Sequence, residues 1–245
     1  MTTPKNSTNL PIPQGQAGAG DLADQLSELA RDLQDENDVE ATLGAMVHAT
    51  LELVPGAAAA SISVVEARRT IRPHAASSDL PATVDRLQEE HGQGPCLDAI
   101  YEERIVRVPD FGREQRWPAF AKAAAEAGAS SSLSFQLWVE GDNLGALNIY
   151  GDHTHAFDAE SEEIGLLVAA HAAVAFADAR QIENLHEALA TRDLIGQAKG
   201  ILMERFKIPA QQAFLILATA SSRSNLKLRE VAEQLVSTGS LPGQH

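Results

Sequence analysis

SLSFQLWVEGDNLGALNIYG (132–151) is the stretch on which the fold class turns. It reads as two strands, SLSFQLWVE (132–140) and LGALNIYG (144–151), joined by Gly141-Asp142-Asn143, residues that accept the tight conformations of a hairpin turn. Upstream, WPAFAKAAAEAG (117–128) has helical spacing and stops at Gly128. HGQGPCLDAI (91–100) sets two glycines in a turn ahead of Pro95, a residue suited to a first helical position. A further short helix is expected over 82–90, and before it SISVV (61–65) and the residues around Ile71 alternate with period two, as a strand pair does. A helix after Asp38 turns Val39, Leu43, Met46, Val47 and Val54 inward and ends at Pro55-Gly56. Ahead of it Leu22, Leu26, Leu29 and Leu33 recur at spacings of four and three, the seam of another helix. Residues 1–20, rich in Pro, Gly, Asn and Gln without an apolar period, are expected to be a disordered tail. Helices, then antiparallel strands with helical insertions, then a long helix make an α+β arrangement.

Downstream of the hairpin, Asp158 is a good N-cap and no helix breaker follows until Pro209. Ile164, Val168, His171, Ala175, Asp178, Ile182, Leu185, Leu189 and Arg192 alternate spacings of four and three, a heptad seam with polar interruptions at His171, Asp178 and Arg192. Over 164–176 this helix is expected to pack on its own sheet. Beyond Ile182 no sheet-forming sequence remains to cover the seam. Ile182, Leu185 and Leu189 are therefore expected to pair with a second copy of the chain, giving a homodimer whose coiled coil links two domains.

The 245 residues are 44% hydrophobic, enough for real cores, and the apolar runs are broken well short of the roughly 18 residues of a membrane span. With no signal-like N-terminus and one cysteine, the chain is expected to be soluble and cytoplasmic, with no membrane partner. Net charge is −15, which taken alone argues against nucleic acid. Its distribution reverses that locally: from Arg192 to Arg229 seven Lys and Arg stand against two acids, giving +5, and the rest carries −20. An acidic body with a basic C-terminal module points to a nucleic-acid tail. Cys96 follows Pro95 at a helix start, which would favour a thiolate and a redox role; beside Leu97 and Ile100 it also reads as a small core residue. His153 and His155 lack the neighbours of a metal site, and nothing supports haem at His91 or His171. No cofactor and no metal are called for, and no catalytic residue is assigned.

GQGPCLDAI, RVPDF (107–111), RWPAFA (116–121), GASSSLSFQLWVEGDNLGALNIYG (128–151) and AFDAE resemble the GAF family of regulatory domains over roughly residues 38 to 180. The resemblance implies a central antiparallel sheet flanked by helices, with a pocket that in some members holds a small ligand, here unidentified. From Leu189, LATRDLIGQAKGILMERFKIPAQQAFLILATASSRSNLKLREVAEQLV (189–236) reads as three helices: up to about Arg205, from Pro209 to about Ser221, and from about Leu226 to Val236. On the first, Arg192, Gly196, Lys199 and Met203 form a stripe in which two cations surround a glycine, so a phosphate backbone could approach closely. The stretch resembles the ANTAR domain, whose pattern is met by Arg192, Ile195, Gln197, Ala198, Lys199, Gly200, Leu202 and Met203, and further on by Ala213, Phe214, Leu217, Ser221, Asn225, Lys227, Leu228, Val231 and Ala232. Where the family usually carries arginine after Leu217, this chain has Ala218-Thr219.

That resemblance implies transcription antitermination, in which a dimer binds paired small hairpins in nascent RNA. Arg192, Gln197, Lys199, Ser221, Asn225 and Lys227 are the expected RNA contacts, and Ala198, Gly200, Ala213, Phe214, Leu217, Leu228 and Val231 the expected packing positions. The domains are expected at 21–181 for the sensor and 182–240 for the coiled-coil linker and RNA module. The alternative is a DNA-binding transcription factor of helix-turn-helix type with the same sensor; against it stands the turn SSRSN, which has no glycine.

Overall fold

The computed structural model describes residues 15–35, 38–65, 71–102, 104–139 and 142–242. The chain divides into two compact units, the first reaching Arg180 and the second beginning at Gln181. In the first unit the strands are Ala59–Val65 (β1), Ile71–Ala76 (β2), Ile105–Val108 (β3), Ser131–Val139 (β4) and Asp142–Gly151 (β5). They form one sheet in the order β2-β1-β5-β4-β3, antiparallel throughout. The expected hairpin is present: Ser131 pairs with Gly151 and Val139 with Asp142, while residues 140 and 141 lie outside the described residues. Gly145 sits in β5 at φ +153°, where a Cβ would stand 2.0 Å from the Ser63 carbonyl oxygen of β1. Only glycine lets the two strands lie together there.

Period-two alternation divides the sheet into two buried faces. Ala60, Ile62, Val64, Leu133, Phe135, Leu137, Leu147 and Ile149 point to one, covered by the helices Gly15–Asp35 (α1) and Val39–Leu53 (α2) and by the first turns of a 48-residue helix Ala159–Phe206. Gly165 allows that long helix to rest on the sheet, because a Cβ would meet the Phe135 ring at 2.6 Å. Its start is capped as expected: Asp158 Oδ1 accepts from the Ser161 N–H at 3.0 Å, and these bonds hold the Asp158 carboxyl below the usual carboxylate range. The opposite face, with Val106, Val108, Ala146 and Tyr150, is covered by the helices Asp79–His91 (α3), Pro95–Tyr101 (α4) and Pro118–Glu126 (α5), in chain order, which makes Ala159–Phe206 α6. Phe120 meets Phe111 and Trp117 edge-on at 6.1 and 6.3 Å.

In the second unit the end of α6 packs with the helices Ala210–Ser224 (α7) and Leu228–Thr238 (α8) around Ala198, Leu202, Ala213, Leu217, Val231, Ala232 and Leu235. The whole chain is thus α+β. Two elements differ from the sequence reading. β3 was not expected: four residues flanked by charged and proline positions carry too short an alternation to stand out, and pairing with β4 forms the strand. α1 begins at Gly15, inside the stretch expected to be a disordered tail, because Gln16, Ala17 and Ala19 extend a helix already nucleated by the Leu22 seam; residues 1–14 lie outside the described residues. Among the described residues no helix is long and apolar enough to cross a membrane.

Candidate nucleic-acid interface

The last turns of α6 present two faces. Ala198 and Leu202 are buried in the core of the second unit, while Arg192, Gly196 and Gly200 are exposed and Lys199 is half-buried. Thr191, Arg192, Asp193, Ile195, Gly196, Gln197 and Lys199 of α6 line a shallow groove together with Phe214 of α7. A Cβ at Gly196 or at Gly200 would meet nothing within 4 Å. Glycine in a helix interior costs roughly 0.5–1 kcal/mol relative to alanine, and no packing within the unit requires it at either position. Gly200 was expected to pack and does not; Phe214, also expected to pack, leaves 41% of its surface exposed because Ala213 and Leu217 occupy the inward face of α7. Ala198, Ala213, Leu217 and Val231 are buried, and Leu228 is half-buried against the same core.

The six expected contact residues fall into two sets. Arg192, Gln197 and Lys199 share the α6 groove. Ser221, Asn225 and Lys227 build the α7–α8 turn: Ser221 Oγ donates to the Leu226 carbonyl at 2.6 Å, Asn225 closes α7 in the left-handed conformation at φ +54°, and the Lys227 N–H donates to Glu230 Oε2 at 2.9 Å to cap α8. Asn225 thereby does what a glycine would do, so the absence of glycine from SSRSN does not argue against a helix-turn-helix geometry. Of the seven cations in the basic segment, Arg205 donates to the Gly239 carbonyl at 2.7 Å and Lys207 pairs with Glu204. Along the middle of α6, residues 183–190 are all exposed; Ile182 is half-buried, and Leu185 and Leu189 expose 55% and 53% of their surface.

A second gathering of polar groups, which sequence reasoning missed, lies between the sheet and α3 in the first unit. Asp85 Oδ1 accepts from Asn148 Nδ2 at 3.3 Å, from the Tyr150 hydroxyl at 3.4 Å and from Gln88 Nε2 at 3.4 Å. Gln88 Oε1 accepts from the Cys96 N–H at 2.8 Å, and the Ser134 hydroxyl donates to Asn148 Oδ1 at 2.9 Å. Among the described residues the Ser132 hydroxyl makes no hydrogen bond, and Asp85 Oδ2 and the Ser61 hydroxyl make none of good geometry, although Ser61 lies close enough to favour the Asp85 carboxylate. Burial pushes the Asp85 carboxyl up to about 6, although the hydroxyls of Ser61, Ser63 and Tyr150 and the Gln88 amide oppose the shift. Burial, followed by the charge of Asp85, pushes the Cys96 thiol up to about 12, so the helix start does not yield a thiolate and Cys96 is a core residue. His153 pairs with Asp152 at 2.6 Å and His171 Nδ1 lies 2.8 Å from the Leu167 carbonyl oxygen. Among the described residues no cluster of three or more His, Cys, Asp or Glu is placed to hold a metal ion.

Residues 36–177 match the model of the GAF domain and residues 183–236 that of the ANTAR domain. The chain belongs to the GAF family and carries an ANTAR domain after its GAF domain. Solved structures agree on the fold of the GAF part. The GAF domain of an Acinetobacter phosphoenolpyruvate-protein phosphotransferase is 16% identical with a TM-score of 0.51, over 69% of this chain and 97% of that one. Its counterpart from Coxiella burnetii is 20% identical with a TM-score of 0.51, over 66% and 96%. The photosensory core module of the Stigmatella aurantiaca phytochrome is 11% identical with a TM-score of 0.56, over 88% of this chain and 46% of that one. No curated protein matches the chain.

The GAF cluster has a measurable consequence. A carboxyl near 6 in the folded protein and near 4 in the unfolded chain binds its proton more tightly when folded. Its stabilising contribution is therefore fully present below about pH 4 and is lost as pH rises through about 6. Asp85→Asn removes this dependence while keeping an acceptor for Asn148, Tyr150 and Gln88. In urea unfolding, the stability of the variant relative to wild type is expected to rise by on the order of 2–3 kcal/mol between about pH 4 and about pH 7.5. A difference that stays constant over that range would show that Asp85 titrates as an ordinary carboxylate.

Proposed function

We propose that this protein is a signal-responsive RNA-binding regulator, a cytoplasmic transcription antiterminator without catalytic activity, whose GAF domain controls binding of the ANTAR domain to paired hairpins in nascent RNA. The observation that carries the reading is the α6 stripe: Arg192 and Lys199 flank Gly196, with open space above Gly196 and Gly200, inside a segment of charge +5 in a chain of −15. Two glycines that weaken a helix without a packing reason suit the close approach of a phosphate backbone, and the cations beside them supply affinity. Gln197, between them, offers an amide to an exposed loop base, which is how sequence is read in RNA. Ser221, Asn225 and Lys227 form the second part of the proposed contact, and the RNA module with its linker spans 182–240.

The domains act through the α6 helix in this proposal. Leu185 and Leu189 stand more than half exposed on it, continuing the heptad spacing from Ile182, and a second copy of the same helix would cover them as a coiled coil. A small ligand in the GAF domain would favour one dimer arrangement over another only by binding the two unequally.

Two measurements test these assignments. Lys199→Ala is expected to weaken hairpin binding and to reduce the slope of log affinity against log salt by roughly 0.7–0.9 per subunit, the release of about one counterion. An unchanged affinity and slope with an intact fold, or a markedly lowered melting temperature, would give Lys199 a solvated or structural role instead. Replacing Leu185 and Leu189 together by Glu is expected to halve the sedimenting mass; an unchanged mass would place the dimer contact elsewhere.

A further inference from the structure

Among the described residues Phe214 is the one aromatic side chain bordering the α6 groove, and the packing of its unit leaves it 41% exposed. The inward positions of α7 are taken by Ala213 and Leu217, both fully buried, so the ring one position further round the helix is turned out of the core. It borders the same groove as Arg192, Gly196, Gln197 and Lys199. An exposed phenyl ring normally finds apolar cover. Here its surroundings are mostly polar: two cations, one carboxylate (Asp193), a hydroxyl (Thr191), an amide and a glycine with open space above it, with Ile195 the one apolar neighbour along the groove, a poor bed for an apolar protein surface.

The same surroundings suit an unpaired nucleotide. A base has an apolar π-face that stacks on a phenyl ring, hydrogen-bonding edges that an amide can meet, and an adjoining phosphate that a guanidinium or ammonium can neutralise. We propose that Phe214 is a stacking platform for an unpaired loop base of the bound RNA, with Gln197 facing the edge of that base and Arg192 and Lys199 holding its flanking phosphates. This rests on the RNA-binding reading and deepens it: the groove takes a splayed single-stranded loop nucleotide, not a continuous duplex. The positive balance of the segment, +5, is complementary to such a strand.

The test uses the full-length protein and an RNA of two tandem stem-loops, selected for wild-type binding from a pool with randomised loop nucleotides. Each loop position is then replaced in turn by an abasic nucleotide, which removes the base and keeps the phosphate. Phe214→Ala is expected to weaken binding of the intact RNA by roughly 5- to 150-fold, the range for loss of one base–aromatic stack. The salt slope should not change, because no charge is removed. At one abasic position the wild type should lose affinity to the same extent, and Phe214→Ala should cost nothing further there. Phe214→Leu, which keeps an apolar side chain and so guards against a folding defect, should behave like Phe214→Ala, and Phe214→Trp should retain binding. Equal weakening of the intact RNA and of every abasic RNA, or full affinity in Phe214→Leu, would overturn the platform while leaving RNA binding in place. A pool from which the wild type selects no RNA would overturn the RNA reading and this proposal with it.

Discussion

An unbroken 48-residue helix that serves two cores constrains everything else in this protein. Up to Phe176 it buries Ile164, Val168, Ala172 and Ala173 against the GAF sheet, and from Ala198 it supplies the first wall of the three-helix ANTAR core. Between them, residues 183–190 are exposed, with no cover from the described residues of their own chain. A helical segment that length is marginal in water unless its neighbours hold it or a partner covers it. Here both ends are held by packing, which keeps the exposed middle helical and leaves Leu185 and Leu189 on its surface.

The two units treat polar groups in opposite ways. In the GAF unit a carboxyl, two amides, a phenol and several hydroxyls are folded under α3 against the sheet, satisfied mostly by one another. Such a network is costly wherever a member lacks a well-placed partner, as Asp85 Oδ2 and Ser61 Oγ do among the described residues. Burial disfavours the charged form of Asp85, and that is why its carboxyl is held near 6. In the ANTAR unit the core is entirely apolar and small, and the polar and cationic groups face outward in grooves.

Much of this was legible in the chain itself, for reasons that can be stated residue by residue. The 132–151 hairpin and the 158–206 helix carry strong, long periodicities, and the Arg192–Met203 stripe follows from helical geometry once the helix is granted. β3 was not legible because four residues cannot display a period. The Asp85 cluster was not legible either, since Asn148 and Tyr150 reach Asp85 across 63 and 65 residues of sequence, and only the sheet brings them together. Phe214 and Gly200 were expected to pack as members of the ANTAR pattern; which side of a helix faces the core depends on the angle at which α7 meets α6, and sequence spacing alone does not supply it. Asn225 shows the converse, a left-handed turn residue present where the absence of glycine suggested none.

Whether the ANTAR groove takes RNA in preference to duplex DNA is measured most directly by an equilibrium competition at fixed salt. The full-length protein is titrated with the selected tandem stem-loop RNA and with a DNA duplex of equal charge. If unpaired loop bases are what the groove receives, the RNA should bind tighter by about tenfold or more, and the preference should persist as salt is raised. Equal affinity for the two, with a common salt dependence, would reduce the basic segment to a nonspecific polyanion surface, and a preference for the duplex would place the protein among helix-turn-helix DNA binders.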